Sequence, residues 1–314
     1  MSDGRLALTL LGGALGSGKT TWVRHQLHAG TFGTRVHVLV NEAADLPVDD
    51  QLLERAEGVT VLSGGCACCT ARDALIAALR SLCDRRSRGD GPDRVLLETS
   101  GLADPGVIAA IMRTDPVLSR HLRLDEIVVA VDAVNAVTQL AEDALVHRQI
   151  AVADKLVLTK VDAVPLIGLQ RLQLGLALRN PAATILGSQH GVAVALEPPP
   201  AGLRFSLPPS PATENPAVAA VLAVPTDLDW AETMVWLSAL LHVRGDRVIR
   251  VKGILPTAAG RVLIQAVRGV VEPPELLPGG PRAGDGRLVL LGRDFSETTL
   301  ARSLQGFLDL PAIA

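Results

Sequence analysis

The chain has 314 residues, of which 48% are hydrophobic and 20% charged, so it can bury a sizeable core and global disorder is disfavoured. Aromatic residues make up only 2% and the net charge is −3, which argues against nucleic-acid binding through base stacking or a basic surface. No apolar run reaches the length of a membrane span, so we expect no membrane partner, and the length allows one large domain or two.

The first two thirds of the chain alternate short apolar runs with helical segments. This pattern is typical of an α/β domain with a mostly parallel sheet and helices on both faces. The predicted strands are 5–11, 35–40, 58–63, 93–98, 125–132, 154–159 and 183–187. The predicted helices are 19–29, 71–86 and 137–153.

Near Leu196 the composition changes to a stretch rich in Pro and Ser, which predicts a linker or long surface loop over 197–216. The first domain is therefore predicted over 1–196. A smaller α+β domain with an antiparallel sheet is predicted over 217–314. Its strands are expected at 220–225, 246–255, 260–269 and 286–292, and its helices at 228–242 and 296–308.

The segment GALGSGKT fits the phosphate-loop pattern G-x-x-x-x-G-K-[ST] in full, follows a predicted strand and opens a predicted helix. The first domain is therefore predicted to be a P-loop NTPase. Backbone N–H groups of such a loop cradle phosphate oxygens. We expect Lys19 to reach the β- and γ-phosphates and the Thr20 hydroxyl to ligate Mg²⁺. The nucleotide-binding residues predicted here are Gly13, Ala14, Leu15, Gly16, Ser17, Gly18, Lys19, Thr20 and Thr21.

The segment LVLTKVD, 156–162, follows a predicted strand and resembles the guanine-reading motif [NT]KxD of GTPases. The Asp162 carboxylate can accept both N1–H and N2–H₂ of guanine, whereas adenine would leave this acceptor unpaired. Lys160 can lie along the plane of the base. Thr159 stands where Asn is commoner, and an ordinary Lys/Asp pair at a strand end is the alternative. The segment predicts GTP as the nucleotide.

Glu98 ends a predicted strand and is followed by Gly101 in LLETSGLADP. In P-loop enzymes an acidic residue at this place can touch Mg²⁺, directly or through water, and the glycine N–H can sense the γ-phosphate. A carboxylate that only caps the strand is the alternative. We predict that Glu98 supports hydrolysis together with Lys19 and Thr20, and that Gly101 contacts the nucleotide.

Three of the four cysteines, Cys66, Cys68 and Cys69, lie within GGCACCT, between a predicted strand and a predicted helix. Thiolates at this spacing can converge on Zn²⁺, Co²⁺ or Cu⁺, and three ligands leave a tetrahedral position open for transfer of the ion. A redox pair or small buried residues are the alternatives. Their crowding disfavours an orderly disulfide framework and favours a reducing compartment. Cys83 shares a helical face with three leucines and is predicted to be a core residue.

The order of these motifs (phosphate loop, Asn41-Glu42, C-x-C-C, E-x-x-G and [NT]KxD) resembles the CobW-type GTPases, a family of metallochaperones with a CobW/HypB/UreG-like nucleotide-binding domain. The resemblance covers nearly the whole chain, since RVIRVKGIL and LVLLGRDFSETTL resemble the C-terminal domain of the family. It implies GTP hydrolysis, binding of Zn²⁺ or Co²⁺ by the cysteines, and delivery to a client metalloprotein or to metal-cofactor synthesis. We expect a cytoplasmic monomer or weak homodimer.

Two departures from the family pattern stand out. Asn41-Glu42 is followed by Ala43-Ala44 instead of an aromatic or aliphatic residue and Gly, which changes the expected switch segment. The seven histidines are scattered, so the sequence has no His-rich stretch for metal loading. Glu42 is a candidate ligand, either of Mg²⁺ or of the thiol-bound ion, and an exposed switch acid is the alternative.

The strand that precedes the cysteines is expected to lie next to the strand that precedes the phosphate loop, which would bring the thiols near the γ-phosphate. GTP and metal would then stabilise one closed state, and hydrolysis would release the ion. Two other functions fit parts of the pattern. One is a zinc-regulated module that docks a partner with little turnover, and the other is a small-molecule kinase, which would not need the thiols.

Overall fold

The computed structural model describes residues 4–41, 56–62, 69–211, 218–224, 230–267, 269–271, 273–282 and 285–308. The chain divides into two compact units, residues 1–177 with 183–212 and residues 178–182 with 213–314. Each unit has its own sheet and its own buried core. None of the described helices is long and apolar enough to cross a membrane.

The described strands of the first unit form one sheet. They are β1 (Leu6–Gly13), β2 (Val36–Asn41), β3 (Gly58–Val61), β4 (Arg94–Thr99), β5 (Leu122–Asp132), β6 (Lys155–Thr159), β7 (Thr184–Gln189) and β8 (Val192–Val194). Their order is β3-β2-β4-β1-β5-β6-β7-β8. β1 to β7 are parallel, and β8 pairs antiparallel with β7. All seven predicted strands are confirmed, and the three-residue β8 is absent from the sequence prediction.

The strand before the cysteines does not lie next to the phosphate-loop strand, so that expectation is wrong. β2 and β4 separate β3 from β1. At about 4.8 Å per strand, the two strands lie about 14 Å apart. The physical reason is that β4 pairs with both neighbours, with Glu98 opposite Leu11 of β1 and opposite Val40 of β2. The apolar pattern of a strand predicts its burial but not its neighbours.

Helices cover the sheet of the first unit. They are α1 (Lys19–His28), α2 (Cys69–Ser87), α3 (Pro105–Thr114), α4 (Leu118–His121), α5 (Ala136–Glu142), α6 (Ala144–Val152) and α7 (Leu166–Arg179). The single helix predicted over 137–153 is wrong, because the chain is extended at Asp143 and its carboxylate caps α6 by accepting the N–H of Leu145 at 2.7 Å. α3, α4 and α7 are absent from the sequence prediction.

The second unit is an α+β structure with an antiparallel sheet, as the sequence predicts. Its described strands are β9 (Val218–Ala223), β10 (Val248–Thr257), β11 (Gly260–Val267), β12 (Val270–Val271), β13 (Glu275–Leu277) and β14 (Arg287–Gly292). They run in the order β12-β11-β10-β14-β9, and β13 also pairs with β11. Two helices, α8 (Trp230–Arg244) and α9 (Glu297–Leu308), bury Trp236, Leu237, Leu300 and Leu304 in a core shared with the strands.

The described part of the segment predicted as a linker, 197–211, lies against α7. The side-chain amides of Gln170 and Gln173 donate to the carbonyl oxygens of Pro198 and Glu197, each at 3.1 Å. Leu207 is buried. This stretch therefore packs on the first unit through both apolar contacts and hydrogen bonds.

Cys83 lies on the buried face of α2, and the prediction that it is a core residue is confirmed. Its side chain is 2% exposed, beside the buried leucines at positions 75, 79 and 82. Burial, with a smaller contribution from the charge of Asp115, raises the pKa of the Cys83 thiol to about 11. The thiol is therefore protonated and shielded at neutral pH.

Thiol reactivity tests this burial. In the variant C66S/C68S/C69S, Cys83 is the one remaining thiol of the sequence. It should not react with a disulfide reagent at about pH 8 while the chain is folded, because only the thiolate is nucleophilic. One thiol per chain should react after unfolding in denaturant. A fast-reacting thiol in the folded variant would contradict the buried position.

Candidate functional site

The phosphate loop joins β1 to α1, and its backbone conformation requires glycine. Gly13 has a φ of 133°, and a Cβ at this position would lie 2.4 Å from the carbonyl oxygen of Ala130. Gly18, the residue before α1, has a φ of 82°. Side chains rarely tolerate this region of backbone conformation. The loop thus leads directly into a helix N-terminus, whose free N–H groups and dipole attract anions.

Lys19 is the first residue of α1, and its ammonium group lies over the loop. The side chain is 6% exposed, and Nζ donates to the carbonyl oxygens of Gly13 and Ala14, both at 3.0 Å. These contacts place a buried positive charge beside the loop. An anion bound in the loop would stabilise that charge.

Thr20 and Glu98 are brought together by strand pairing. The Thr20 hydroxyl donates to Oε1 of Glu98 at 2.5 Å, and Glu98 is 1% exposed. Glu98 reaches this place because β4 lies beside β1, with Glu98 opposite Leu11. The Thr99 hydroxyl donates to the carbonyl oxygen of Leu11 at 2.9 Å and strengthens this register. A hydroxyl and a carboxylate therefore meet at the first turn of α1.

Gly101 follows β4 and lies tightly against the phosphate loop. A Cβ on Gly101 would lie 2.6 Å from the backbone nitrogen of Leu15 and 2.8 Å from its Cα. A side chain at this position would push the two segments apart. The structure thus places Gly101 beside the loop, with Glu98 three residues earlier, and the contact of Gly101 with the nucleotide stays a prediction.

A cavity of about 340 Å³ opens beside the phosphate loop, at the carboxyl ends of β6 and β7. Gly18 and Thr21 contribute from the phosphate-loop side. Asp162, in the 3₁₀ turn Val161–Ala163, lines the cavity from the side of the predicted guanine motif. The lining residues are Gly18, Thr21, Thr159, Lys160, Asp162, Ala163, Ser188, His190 and Gly191. One cavity therefore unites the two predicted halves of a nucleotide site.

Thr159, which replaces the commoner Asn, joins the base motif to the phosphate loop. It is 6% exposed, and its hydroxyl donates to the carbonyl oxygen of Ser17 at 2.8 Å and is 3.3 Å from that of Val131. The end of β6 is thereby attached to the loop that follows β1. Thr at this position fills a structural role that needs a hydroxyl donor.

Asp132 is a site residue that the sequence analysis missed. The Lys160 ammonium donates to its Oδ2 at 2.6 Å, and the Asn135 side-chain amide donates to the same oxygen at 2.8 Å. Burial of the 2% exposed Asp132 would raise its pKa, but hydrogen bonds from Lys160, Asn135 and the N–H of Val134 outweigh burial and lower it. Its position at the carboxyl end of a predicted strand next to β6 is the signal that could have identified it.

Ser188, His190 and Gly191 were also missed. The Ser188 hydroxyl is buried, and it has no hydrogen-bond partner among the described residues. His190 is mostly exposed, with Nε2 4.0 Å from Oδ2 of Asp162. All three follow a predicted strand parallel to β6, and ligands of open parallel sheets bind outside the carboxyl ends of the strands. This rule could have identified the residues at the carboxyl end of β7 as site residues from the sequence.

The predicted metal ligands are less fully placed. Cys66, Cys68 and Glu42 lie outside the described residues. Cys69 is the first residue of α2, and its side chain is not described. Within the described part of the chain, no group of three or more His, Cys, Asp or Glu residues could hold a metal ion. The metal site therefore stays a prediction. β3, the strand that precedes the cysteines in the chain, has its carboxyl end at the same edge of the parallel sheet as the carboxyl end of β1, which leads into the phosphate loop.

Comparison with known proteins gives a matching family for each of two parts of the chain. The family described as CobW/HypB/UreG, nucleotide-binding domain, matches residues 7–186. The family described as cobalamin synthesis protein cobW C-terminal domain matches residues 217–308.

Individual relatives cover the chain to different extents. Zinc chaperone YjiA of Escherichia coli (strain K12) is 30% identical over 322 residues, which is 96% of this chain and 98% of the relative. Zinc-regulated GTPase metalloprotein activator 1 of Schizosaccharomyces pombe is 33% identical over 192 residues, 59% of this chain and 46% of the relative. The solved structure of Zn(II)-bound YjiA GTPase from E. coli matches with a TM-score of 0.63 and 25% identity, covering 96% of this chain and 99% of that chain.

Asp162→Asn tests the base cavity. The carboxylate can accept two N–H groups of guanine, so its loss should weaken GTP and GDP binding by about ten- to a hundredfold. Affinity for xanthosine triphosphate should rise, because the amide can donate to its 2-oxo group. Equilibrium binding of GTP, XTP and ATP measures this change. Asp73→Asn, an exposed position on α2, is the control. ATP bound by the wild type as tightly as GTP would refute guanine selection.

Proposed function

This chain belongs to the CobW/HypB/UreG family of nucleotide-binding proteins and carries the CobW C-terminal domain, and from that membership we propose that it is a GTP-hydrolysing metallochaperone. The observation that carries the proposal is the single cavity lined by Gly18 and Thr21 at the phosphate loop and by Asp162 at the guanine motif. A nucleotide is a class of ligand whose phosphates and base would contact these two parts of one cavity.

The phosphate end of the cavity suits a triphosphate. Loop N–H groups and the dipole of α1 would counter the charge of the phosphates. The Lys19 ammonium, already beside the loop, would bond β- and γ-phosphate oxygens. The N–H of Gly101 would approach the γ-phosphate, since this residue lies directly against Leu15 of the loop. These groups position the substrate and stabilise charge, which supply most of the catalysis in phosphoryl transfer.

Thr20 and Glu98 have the oxygen donors that Mg²⁺ prefers, a hydroxyl and a carboxylate oxygen 2.5 Å apart at the first turn of α1. When bound there, Mg²⁺ would neutralise charge on the β- and γ-phosphates. Glu98 is fixed by the register of β4. Its carboxylate can also accept a hydrogen bond from a water beside the γ-phosphate and so favour attack.

The proposed cargo is a transition metal held by Cys66, Cys68 and Cys69. The names of two relatives, zinc chaperone and zinc-regulated GTPase metalloprotein activator, support zinc as the metal and a metalloprotein as the client. Thiolates also suit Co²⁺, the second metal predicted from the sequence. Three ligands leave a coordination position for a group of the client, as transfer requires.

The strand order supports a proposal for how the nucleotide and metal sites are connected. β2 lies between β3 and β4, and its last residue, Asn41, pairs with Thr99, which directly follows Glu98. Glu42 comes next in the chain after Asn41. We therefore place the predicted coupling at the ends of β2 and β4, with Glu42 as the candidate link, instead of a direct neighbour relation between β3 and β1.

Glu98→Gln tests the hydrolytic role. The amide keeps the size of the side chain but removes charge beside the proposed Mg²⁺ and water. The kcat for GTP should fall by about 10²-fold, the lower end of a general acid–base contribution, while GDP affinity changes little. Lys19→Ala should lose both hydrolysis and nucleotide affinity. Glu126→Gln, which removes the 2.8 Å ion pair with Lys155 elsewhere in the sheet, is the control. Unchanged phosphate release in Glu98→Gln would remove Glu98 from the mechanism.

Co²⁺ titration tests the metallochaperone proposal, since thiolate ligation gives near-ultraviolet charge-transfer absorption. The affinity should be higher with a GTP analogue and Mg²⁺ than with GDP, by about 5- to 150-fold if the coupling is in the usual allosteric range. By reciprocity, Co²⁺ should tighten the nucleotide by the same factor. The measurement uses a competing chelator and the full chain, with each Cys→Ser variant alongside.

Two outcomes separate the parts of this proposal. Equal Co²⁺ affinity with GTP analogue, GDP and no nucleotide would overturn the coupling but keep the metal site. Full Co²⁺ binding by C66S/C68S/C69S would overturn the site itself. Steady-state phosphate release distinguishes a chaperone from the sensor alternative, which predicts little turnover with or without a client metalloprotein.

A further inference from the structure

The loop between β4 and α3, residues 100–104, accepts hydrogen bonds from one buried side chain of α6. Gln149 is 1% exposed. Its Nε2 donates to the carbonyl oxygen of Ala103 at 2.9 Å and to that of Gly101 at 3.3 Å. Since both partners are acceptors, the amide must present its NH₂ group to the loop. Gln149 therefore binds the two ends of the turn that contains Leu102.

The oxygen of the same amide has no hydrogen-bond partner within the described part of the chain. Oε1 of Gln149 is buried and accepts no hydrogen bond from the described residues. An unpaired buried acceptor destabilises the folded chain, so an apolar side chain of similar size would pack here without that cost. The favourable contribution of Gln149 to stability therefore comes from the two hydrogen bonds that it donates. Those bonds act on the backbone of the loop.

The position of Gly101 is thus fixed from two directions. The backbone of Leu15 in the phosphate loop lies so close that a Cβ on Gly101 would approach its nitrogen to 2.6 Å. Gln149 holds the carbonyl group of Gly101 from α6. A shift of the loop towards Leu15 is blocked by this close approach, and a shift that lengthens the 2.9 and 3.3 Å contacts would break the bonds to Gln149.

The contact of Arg148 with the same loop provides a comparison for the role of Gln149. Arg148, the residue before Gln149, has Nε 3.2 Å from Oδ2 of Asp104, at the end of the same loop. The Arg148 side chain is 38% exposed, and ion pairs exposed to this extent contribute little. Asp104 also accepts the N–H of Gly106 at 2.9 Å and so caps α3 on its own. Arg148 therefore touches the loop without fixing Gly101.

We propose that Gln149 is a positioning residue that sets Gly101 for contact with the γ-phosphate. The inference rests on the proposed function, in which the Gly101 N–H meets that group. It gives α6 a second role besides packing. α6 leads through 153–154 into β6, which ends at the guanine motif, so one continuous segment supports the loop at the γ-phosphate and the reader of the base.

The test compares Gln149→Met with Arg148→Gln in the full chain. Met keeps the length and volume of the side chain but donates no hydrogen bond. In Gln149→Met, the affinity for a non-hydrolysable GTP analogue with Mg²⁺ and the kcat for GTP should each fall about tenfold, as expected for loss of a buried hydrogen bond. GDP affinity should stay within about twofold, because GDP has no γ-phosphate. Arg148→Gln should change all three values by less than about twofold.

Each outcome bears on the proposal. A GTP analogue and GDP weakened by the same factor in Gln149→Met would show a merely structural role and overturn it, as would wild-type values throughout. Thermal unfolding with GDP checks the fold. If the Met variant does not fold, Gln149→Asn, whose amide is one methylene short of the loop, should show the same selective loss. A wild-type chain that does not hydrolyse GTP would overturn the proposed function first, whereas an active wild type with no selective loss overturns only the role of Gln149.

Discussion

Parallel pairing of β4 with β1 is the constraint on which the nucleotide site depends. The register sets Glu98 opposite Leu11, two residues before the phosphate loop begins at Gly13. Because side chains alternate between the faces of a strand, a slip of one residue would turn the carboxylate to the other face of the sheet. The 2.5 Å contact between Thr20 and Glu98 is therefore a consequence of strand register.

The base half of the site depends on polar contacts with the same rigid elements. The bond from Thr159 to the carbonyl oxygen of Ser17 attaches the end of β6 to the phosphate loop. Asp132, at the end of β5, holds the Lys160 ammonium. The lowered pKa of Asp132 means that its carboxylate is ionised at any pH above the ordinary Asp pKa of about 3.9. The stability that this pair contributes is therefore fully present above that pH and is lost only as the pH falls through the lowered pKa. Between pH 5 and 8 the position of Lys160 should not depend on this titration.

Much of the fold and of the phosphate site can be predicted from sequence, because continuous apolar runs indicate buried parallel strands and the glycine loop has a specific context. Other features cannot. α7 buries leucines at helical spacing, positions 169, 172 and 176, but also exposes Leu166, Ile167 and Leu178, so its apolar residues are not confined to one face. The contacts of Asp132 and Gln149 arise only when distant segments meet in the sheet. The order of β3, β2 and β4 is likewise decided by crossovers between strands and not by any single segment.

The corrected strand order also constrains any coupling between metal and nucleotide. If the thiol-bound ion stayed above the end of β3, about 14 Å from β1, each pair of unit charges would interact by about 0.3 kcal/mol in water. A divalent ion would then distinguish GTP from GDP, which differ by about one charge, by about 0.6 kcal/mol before screening by salt. Allosteric coupling is typically about 1–3 kcal/mol, so direct attraction at that distance is too weak. The coupling would have to come from a segment with two arrangements that both ligands bias. The ends of β2 and β4 are where we expect such a segment to connect with the nucleotide site, since Asn41 pairs with Thr99 beside Glu98 and leads directly to Glu42.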